Sequence, residues 1–265
     1  MKNIVALCLL VFTSFSFAQN SESQDDLALN DTVRRLEGVT VNADVLVGSK
    51  FKAKNKAGST YFISPEELKT FNYSDINRIL RSVPGVNVVE EEGFGLRPSI
   101  GLRGTSPSRA SKITVMEDGI LIAPAPYSAP AAYYFPTVSR IQSFEILKGG
   151  SQIQYGPNTT GGAINMVSNQ IPSQFSGRVV ASMGNYDTRN TYVNLGDNFD
   201  NFGYLVEYNN RNSDGFKTID YSNKNTGFNG NDYVGKFRIN TNADTKIFQS
   251  LTLKAQLSDE SSNET

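Results

Sequence analysis

IQSFEILKGGSQIQYGPNTTGGAINMV, residues 141–167, is the stretch whose reading decides the fold. Phe144, Ile146 and Lys148 alternate with Glu145 and Leu147, which is the period of a strand. The run stops at Gly149-Gly150 and resumes with Ile153 and Tyr155. Gly156-Pro157-Asn158 and then Gly161-Gly162 join a fixed φ to positions free to take positive φ, so the backbone folds back before a further strand over 164–167. Glycine at this density beside aromatics implies backbone passing close to a bulky neighbour. Taken alone, two ordinary hairpin turns in a β-rich domain give the same pattern.

Composition narrows the function classes. The chain of 265 residues has a net charge of -1, no histidine, a single cysteine and no tryptophan, against 12 tyrosines, 16 phenylalanines and 22 glycines. A near-neutral balance gives no electrostatic case for nucleic acid. The absence of histidine excludes imidazole acid–base catalysis, His metal ligation and His-activated nucleophiles. No Walker or Rossmann glycine pattern occurs, and no cluster of carboxylates or activated nucleophiles. The expectation is a protein that is not an enzyme, with no cofactor and no metal site.

At the N-terminus, Met1-Lys2-Asn3 is a short basic start, residues 4–17 are almost wholly apolar, and Ser16-Phe17-Ala18 places small residues at the cleavage positions. This predicts a secretory signal peptide over 1–18. Cys8 falls inside it, so the mature chain carries no disulfide. No other run reaches the roughly 18 apolar residues of a spanning helix, so a membrane-embedded form must be a barrel. Residues 19–55 read as a polar extension holding one β-prone island, Leu36-Glu37-Gly38-Val39-Thr40-Val41-Asn42-Ala43. That island is either a strand awaiting another protein's sheet edge or the first strand of the following domain. Lys50, Lys52, Lys54 and Lys56 alternate with Phe51, Ala53 and Asn55, which reads as a solvated edge.

The middle of the chain reads as a compact mixed α+β domain. Ser64-Pro65-Glu66-Glu67 supplies an N-cap, proline at N1 and glutamate at N3, so it opens a helix. A second helix is expected from Ser74, with Ile76, Ile79, Leu80 and Val83 forming one buried stripe that ends at Pro84-Gly85. Short strands are expected at 86–89, 99–103, 113–116 and, after the Asp118-Gly119 turn, 120–122. Beyond residue 171 the texture becomes strict alternation. Val179, Ala181 and Met183 oppose Arg178 and Ser182; Tyr204, Val206 and Tyr208 oppose Glu207 and Asn209; Tyr233, Phe237 and Ile239 oppose Lys236 and Arg238; Leu251, Leu253 and Leu257 oppose Lys254, Gln256 and Ser258. With Thr191, Val193 and Leu195 this makes five segments, each with an apolar and a strongly polar face, as a transmembrane β-barrel requires. Five strands cannot close, so the expected fold is a mixed domain followed by the first strands of a large antiparallel barrel, and the chain reads as the N-terminal part of something longer. A secreted β-rich binding or adhesion protein and a truncated, non-transporting fragment are the competing readings.

The leader, the EGVTV island, SVPGVNV, the GLRG at Gly101 to Gly104, MEDGI at Met116 to Ile120, FEILKGGSQIQYGPNTTGGAINMV and the alternating strands, in this order, resemble a TonB-dependent outer-membrane receptor. LKGG, QYGPNTTGG and the APAPYSAP loop are most similar to its ferric-citrate siderophore group. The resemblance implies a plug domain, residues 56–170, seated inside a barrel in the outer membrane, in contact with lipid. It implies that Glu37, Gly38, Val39, Thr40 and Val41 are the TonB box, engaged by the TonB energy-transducing complex. It further implies that Arg103 and the residue at Lys148 latch plug to barrel carboxylates, lysine here replacing the family's arginine and losing its bidentate fork. A ferric chelate, ferric citrate or a similar siderophore, is expected at the plug apex, at Ser106, Ser108, Arg109, Tyr127 and Ser128. Ala129 and Ala131 stand where ferric-citrate members usually carry polar amides. The 18 residues from Gln19 to Leu36 are too few for the signalling domain that group often carries.

Overall fold

The 141–167 stretch folds into the middle of a sheet, and its burial explains why. In the computed structural model, residues 46–263 are described except 57, 72–73, 123–128, 130, 132–133, 150–154, 157–158, 219–224 and 242–248. The expected leader, the Glu37–Val41 island, Tyr127, Ser128 and Ile153 therefore lie outside the described residues. The helices are α1 (Lys50–Asn55), α2 (Pro65–Phe71) and α3 (Ile76–Arg81). The strands of the first domain are β1 (Ser59–Ile63), β2 (Val86–Val89), β3 (Ser99–Leu102), β4 (Ile113–Glu117), β5 (Ile120–Leu121), β6 (Ile141–Lys148) and β7 (Gly162–Ser168). A second set follows: β8 (Ser176–Met183), β9 (Arg189–Asn198), β10 (Phe202–Ser213), β11 (Phe228–Asn240) and β12 (Ser250–Ser262).

The first domain is built on a mixed sheet in the order β1-β6-β7-β4-β5, with β2 and β3 as a separate antiparallel pair. Strand β6 pairs antiparallel with both β1 and β7, while β7 runs parallel to β4. The alternation at Phe144–Lys148 does not mark one wet face, because every residue of β6 except Gln142 is buried. Phe144 and Ile146 enter the main core with Ile76, Ile79 and Leu80 of α3. Leu147 on the opposite face packs with Val47, Ala53 and Phe62. A central strand covered on both sides has no solvent face to advertise.

The hairpin that joins β6 to β7 depends on Gly162. Its φ is +138°, and a Cβ there would stand 2.1 Å from the Leu147 carbonyl oxygen. The chain-start signals for α2 hold: Ser64 N–H donates to Glu67 Oε2 at 3.0 Å and Glu67 N–H returns a bond to Ser64 Oγ at 3.3 Å. On α3 the cap is Asp75, which accepts from Asn77 N–H at 2.8 Å, one residue later than the expected start.

The lysine-rich segment differs from its sequence reading. Lys50–Asn55 is a helix, because Ser49 caps it by accepting from Lys52 N–H and Ala53 turns inward while the lysines face water. Its period-two appearance comes from a single turn and a half of helix, too short to display 3.6. Residues from Leu46 onward already pack on the mixed domain, ahead of the Lys56 start read from the sequence.

Strands β8 to β12 form one antiparallel sheet in sequence order, an open wall of meandering hairpins. The turn between β9 and β10 spans only 199–201, while the β10–β11 connection runs over 214–227. Tyr233, Phe237, Ile239, Leu251, Leu253 and Leu257 are exposed on the outer face, and Glu207, Asn209, Asp232 and Lys236 are buried on the inner one. Among the described residues no helix is long and apolar enough to cross a membrane.

Ile146 is fully buried in the main core, so Ile146→Ala is expected to destabilise the fold by about 2–5 kcal/mol through lost burial and a residual cavity. Denaturant unfolding followed by circular dichroism checks this.

Candidate functional site

The inner face of the wall holds the mixed domain through buried charge. Glu117 ends β4 and Asp118 opens the left-handed Asp118-Gly119 turn that follows, with φ of +52° and +77°. Arg140, 1 % exposed, lies against Glu117 in a two-pronged contact, Nη1 donating to Oε1 and Nη2 to Oε2, the latter at 3.0 Å. Two lysines arrive from the wall. Lys254 Nζ donates to Glu117 Oε1 at 2.5 Å and to Asp118 Oδ2 at 2.6 Å. Lys236 Nζ stands 3.6 Å from Asp118 Oδ2 and donates to Ser168 Oγ and to the Asn169 carbonyl, each at 2.7 Å. Tyr134 OH accepts from Arg140 and from Gln256 of β12. The two wall lysines are direct cross-strand partners, Lys236 opposite Lys254.

Burial works against the charge on both carboxylates, yet their cationic neighbours win. Arg140 and Lys254 hold the Glu117 carboxyl below the usual range, and Lys236 and Lys254 do the same for Asp118. Burial pushes the Tyr134 phenol up to about 12, so it stays protonated. The Arg140 guanidinium, despite its burial, is driven further toward the charged form by Glu117.

Two further contacts extend the interface. Asn169 donates to Tyr192 OH and Glu207 Oε1 at 2.8 Å each, Tyr192 donates to Glu207 Oε1 at 2.5 Å, and Ser139 donates to Asn209 at 2.9 Å. At another point Arg97 pairs with Glu260 at 2.6 Å, and Phe94 packs on Phe216 and Phe228 with ring centroids 5.4 and 4.9 Å away.

A family model described as the TonB-dependent Receptor Plug Domain matches residues 52–163. The mixed domain is a TonB-dependent receptor plug. Its fold together with the wall is that of the ferric citrate transporter FecA, solved in the unliganded form, at 21% identity and a TM-score of 0.68; the match covers 84% of this chain and 34% of that one. The siderophore receptor PirA from Acinetobacter baumannii matches at 19% identity and TM-score 0.62, over 84% of this chain and 34% of that one. The ferric yersiniabactin uptake receptor FyuA from Yersinia pestis matches at 22% identity and TM-score 0.62, over 78% and 32%. The chain thus spans about a third of the length of these solved relatives.

Among the described residues the sequence-derived site residues fall in two places on the plug. Arg103 and Lys148 come together around Gly149, where an added Cβ would meet Arg103 Nη1 at 2.8 Å. Lys148 Nζ donates to the Pro84 carbonyl at 2.5 Å and lies 5.7 Å from the Tyr61 ring centre. Burial, with the Arg103 charge behind it, lowers the Lys148 pKa. Among the described residues neither cation forms an ion pair; the ion pairs to the wall run from Glu117 and Asp118 to Lys236 and Lys254, and from Arg97 to Glu260. Ser106, Ser108 and Arg109 are exposed on one loop. Arg109 and Ala110 take positive φ in succession, +49° and +55°, and Arg109 N–H donates to Ser99 Oγ at 3.3 Å. That strained pair buries Ala110 and leaves the guanidinium outside.

Sequence reasoning did not single out Glu117, Asp118, Tyr134 or Arg140. Alternation does place Lys236 and Lys254 on the polar face, but no local signal pairs them with the MEDGI carboxylates 118 and 137 residues away.

Lys254→Met leaves Glu117 and Asp118 short of a cation and is expected to cost about 3 kcal/mol, with Glu117→Gln recovering part of it in a double-mutant cycle. Both carboxylate pKa values are depressed in the fold, so their contribution is complete above the ordinary values of 4.5 and 3.8 and is lost as pH falls beneath them. The protection of β4 amides, taken relative to their intrinsic exchange rates at each pH, is expected to hold steady from pH 7 downward and to fall only at the acid end near pH ~3.

Proposed function

We propose that this chain is the plug and first wall strands of an outer-membrane receptor that imports a ferric chelate. The observation that carries this reading is the two-faced wall: apolar side chains outside, and inside a polar surface already bonded to the plug. A soluble sandwich would put its apolar faces together, whereas here the inner face is the charged one. Solved proteins of the same fold carry ferric citrate, siderophore and ferric yersiniabactin receptor names, which supports iron chelates as the ligand class.

Ser106, Ser108 and Arg109, together with Tyr127 and Ser128, are the proposed chelate contacts. An exposed guanidinium suits a carboxylate-bearing chelate such as ferric citrate through a paired hydrogen bond. Arg103 and Lys148 form a paired positive site proposed to meet receptor carboxylates. Glu37, Gly38, Val39, Thr40 and Val41 are proposed to add as a strand to a TonB-type partner in the periplasm, delivering energy through the backbone.

Val39→Pro removes a ladder donor. Uptake of radiolabelled ferric chelate by cells carrying the variant is expected to fall to background while surface binding is unchanged. Uptake at the wild-type rate would refute the coupling assignment.

A further inference from the structure

Glu145 is a fully buried carboxylate on β6 that the docking interface does not use. It accepts three consecutive backbone N–H groups: Leu46 to Oε2 at 2.8 Å, Val47 to Oε1 at 2.9 Å and Gly48 to Oε1 at 2.7 Å. Gly48 takes φ +78°, which helps turn successive N–H groups toward one anion, the geometry of a backbone nest. Among the described residues no cation forms an ion pair with this carboxylate, so its charge is balanced by those N–H dipoles and by Asn165, which donates to Oε2 at 2.8 Å. Asn165 in turn accepts from Gly119 N–H at 2.9 Å. Gly119 belongs to the turn whose Asp118 is gripped by Lys236 and Lys254. One line of hydrogen bonds therefore runs from the Leu46–Gly48 segment across β6, β7 and β4 to the wall-docked turn.

Only four residues, 42–45, separate this nest from Val41, the last residue of the proposed partner strand. We infer that Glu145 is a positioning residue for energy coupling: its hold on Leu46, Val47 and Gly48 sets how freely the Glu37–Val41 strand is presented to the TonB-type partner. The inference rests on the strand-pairing reading given above. A carboxylate is the side chain suited to the task, since it offers acceptors only. An amide of the same shape turns a donor toward at least one of the three N–H groups. Release is therefore local, because the apolar faces of β6 are untouched by that exchange.

The test is Glu145→Gln in the receptor in its native outer membrane, read two ways. Hydrogen exchange at Leu46, Val47 and Gly48 is expected to accelerate on the order of ten- to a hundredfold, the scale of losing a charge-assisted bond, while the β6–β7 ladder at Ile146 and Ile164 keeps its protection. Disulfide capture between Val39→Cys and a cysteine in the periplasmic domain of the coupling protein is expected to rise several-fold in the absence of chelate. Unchanged exchange at the three amides, or acceleration shared equally by the β6–β7 ladder, overturns the inference. Faster exchange with unaltered capture also overturns it, by separating the nest from presentation. Capture absent in both backgrounds overturns instead the strand-pairing reading beneath it. Should Glu145→Gln fail to reach the membrane, Leu46→Pro removes one donor from the other side of the contact and is expected to move both readouts the same way.

Discussion

Two carboxylates held out of water at the tip of one strand need positive charge close by, and Glu117 and Asp118 receive it from two separate bodies. Arg140 comes from the plug itself, Lys236 and Lys254 from the wall. Removing either source leaves buried charge without compensation, which is far costlier than never having built the cluster. The plug's position in the wall is therefore defined chiefly by this cluster, with the Arg97–Glu260 pair and the softer contacts at Asn169, Ser139 and Phe94 added to it. Hydrophobic burial fixes the interior of each sheet; ionic pairing fixes one against the other.

The two faces of β6 and β7 divide these tasks within the plug. One face holds Phe144, Ile146, Ile164 and Met166 in the main core. The other carries Glu145 and Leu147 toward the segment that follows the proposed partner strand. Close backbone approach at Gly162 lets β7 leave the hairpin directly beneath Leu147, so these two layers stay in register. The plug thus has a firmly anchored apolar side and a side whose fastening is polar and local.

Much of this was legible in the sequence. The capping box at Ser64 and Glu67, the stripe on Ile76, Ile79, Leu80 and Val83, the Asp118-Gly119 turn and all five wall strands follow from period and turn chemistry, which are local properties. The motif order carried the plug family. What escaped was long-range or short-period. The helix Lys50–Asn55 is too brief to show its own repeat, β6 is buried on both faces and so hides its alternation, and the pairing of Glu117 with Lys254 joins residues far apart in the chain. The Arg103 and Lys148 positions came from motif resemblance, and the structure sets them side by side around Gly149 without a carboxylate partner among the described residues.

Lys236 and Lys254 face each other directly across the β11–β12 ladder. Two ammonium groups so placed repel, and a hairpin carrying them on its inner side is disfavoured in isolation. Once Glu117 and Asp118 lie between them, the same juxtaposition becomes a socket of matching sign. The mixed domain thus acts as a counter-ion for this hairpin, and without those carboxylates the two strands would have to splay or recruit anions from solution to keep this pairing.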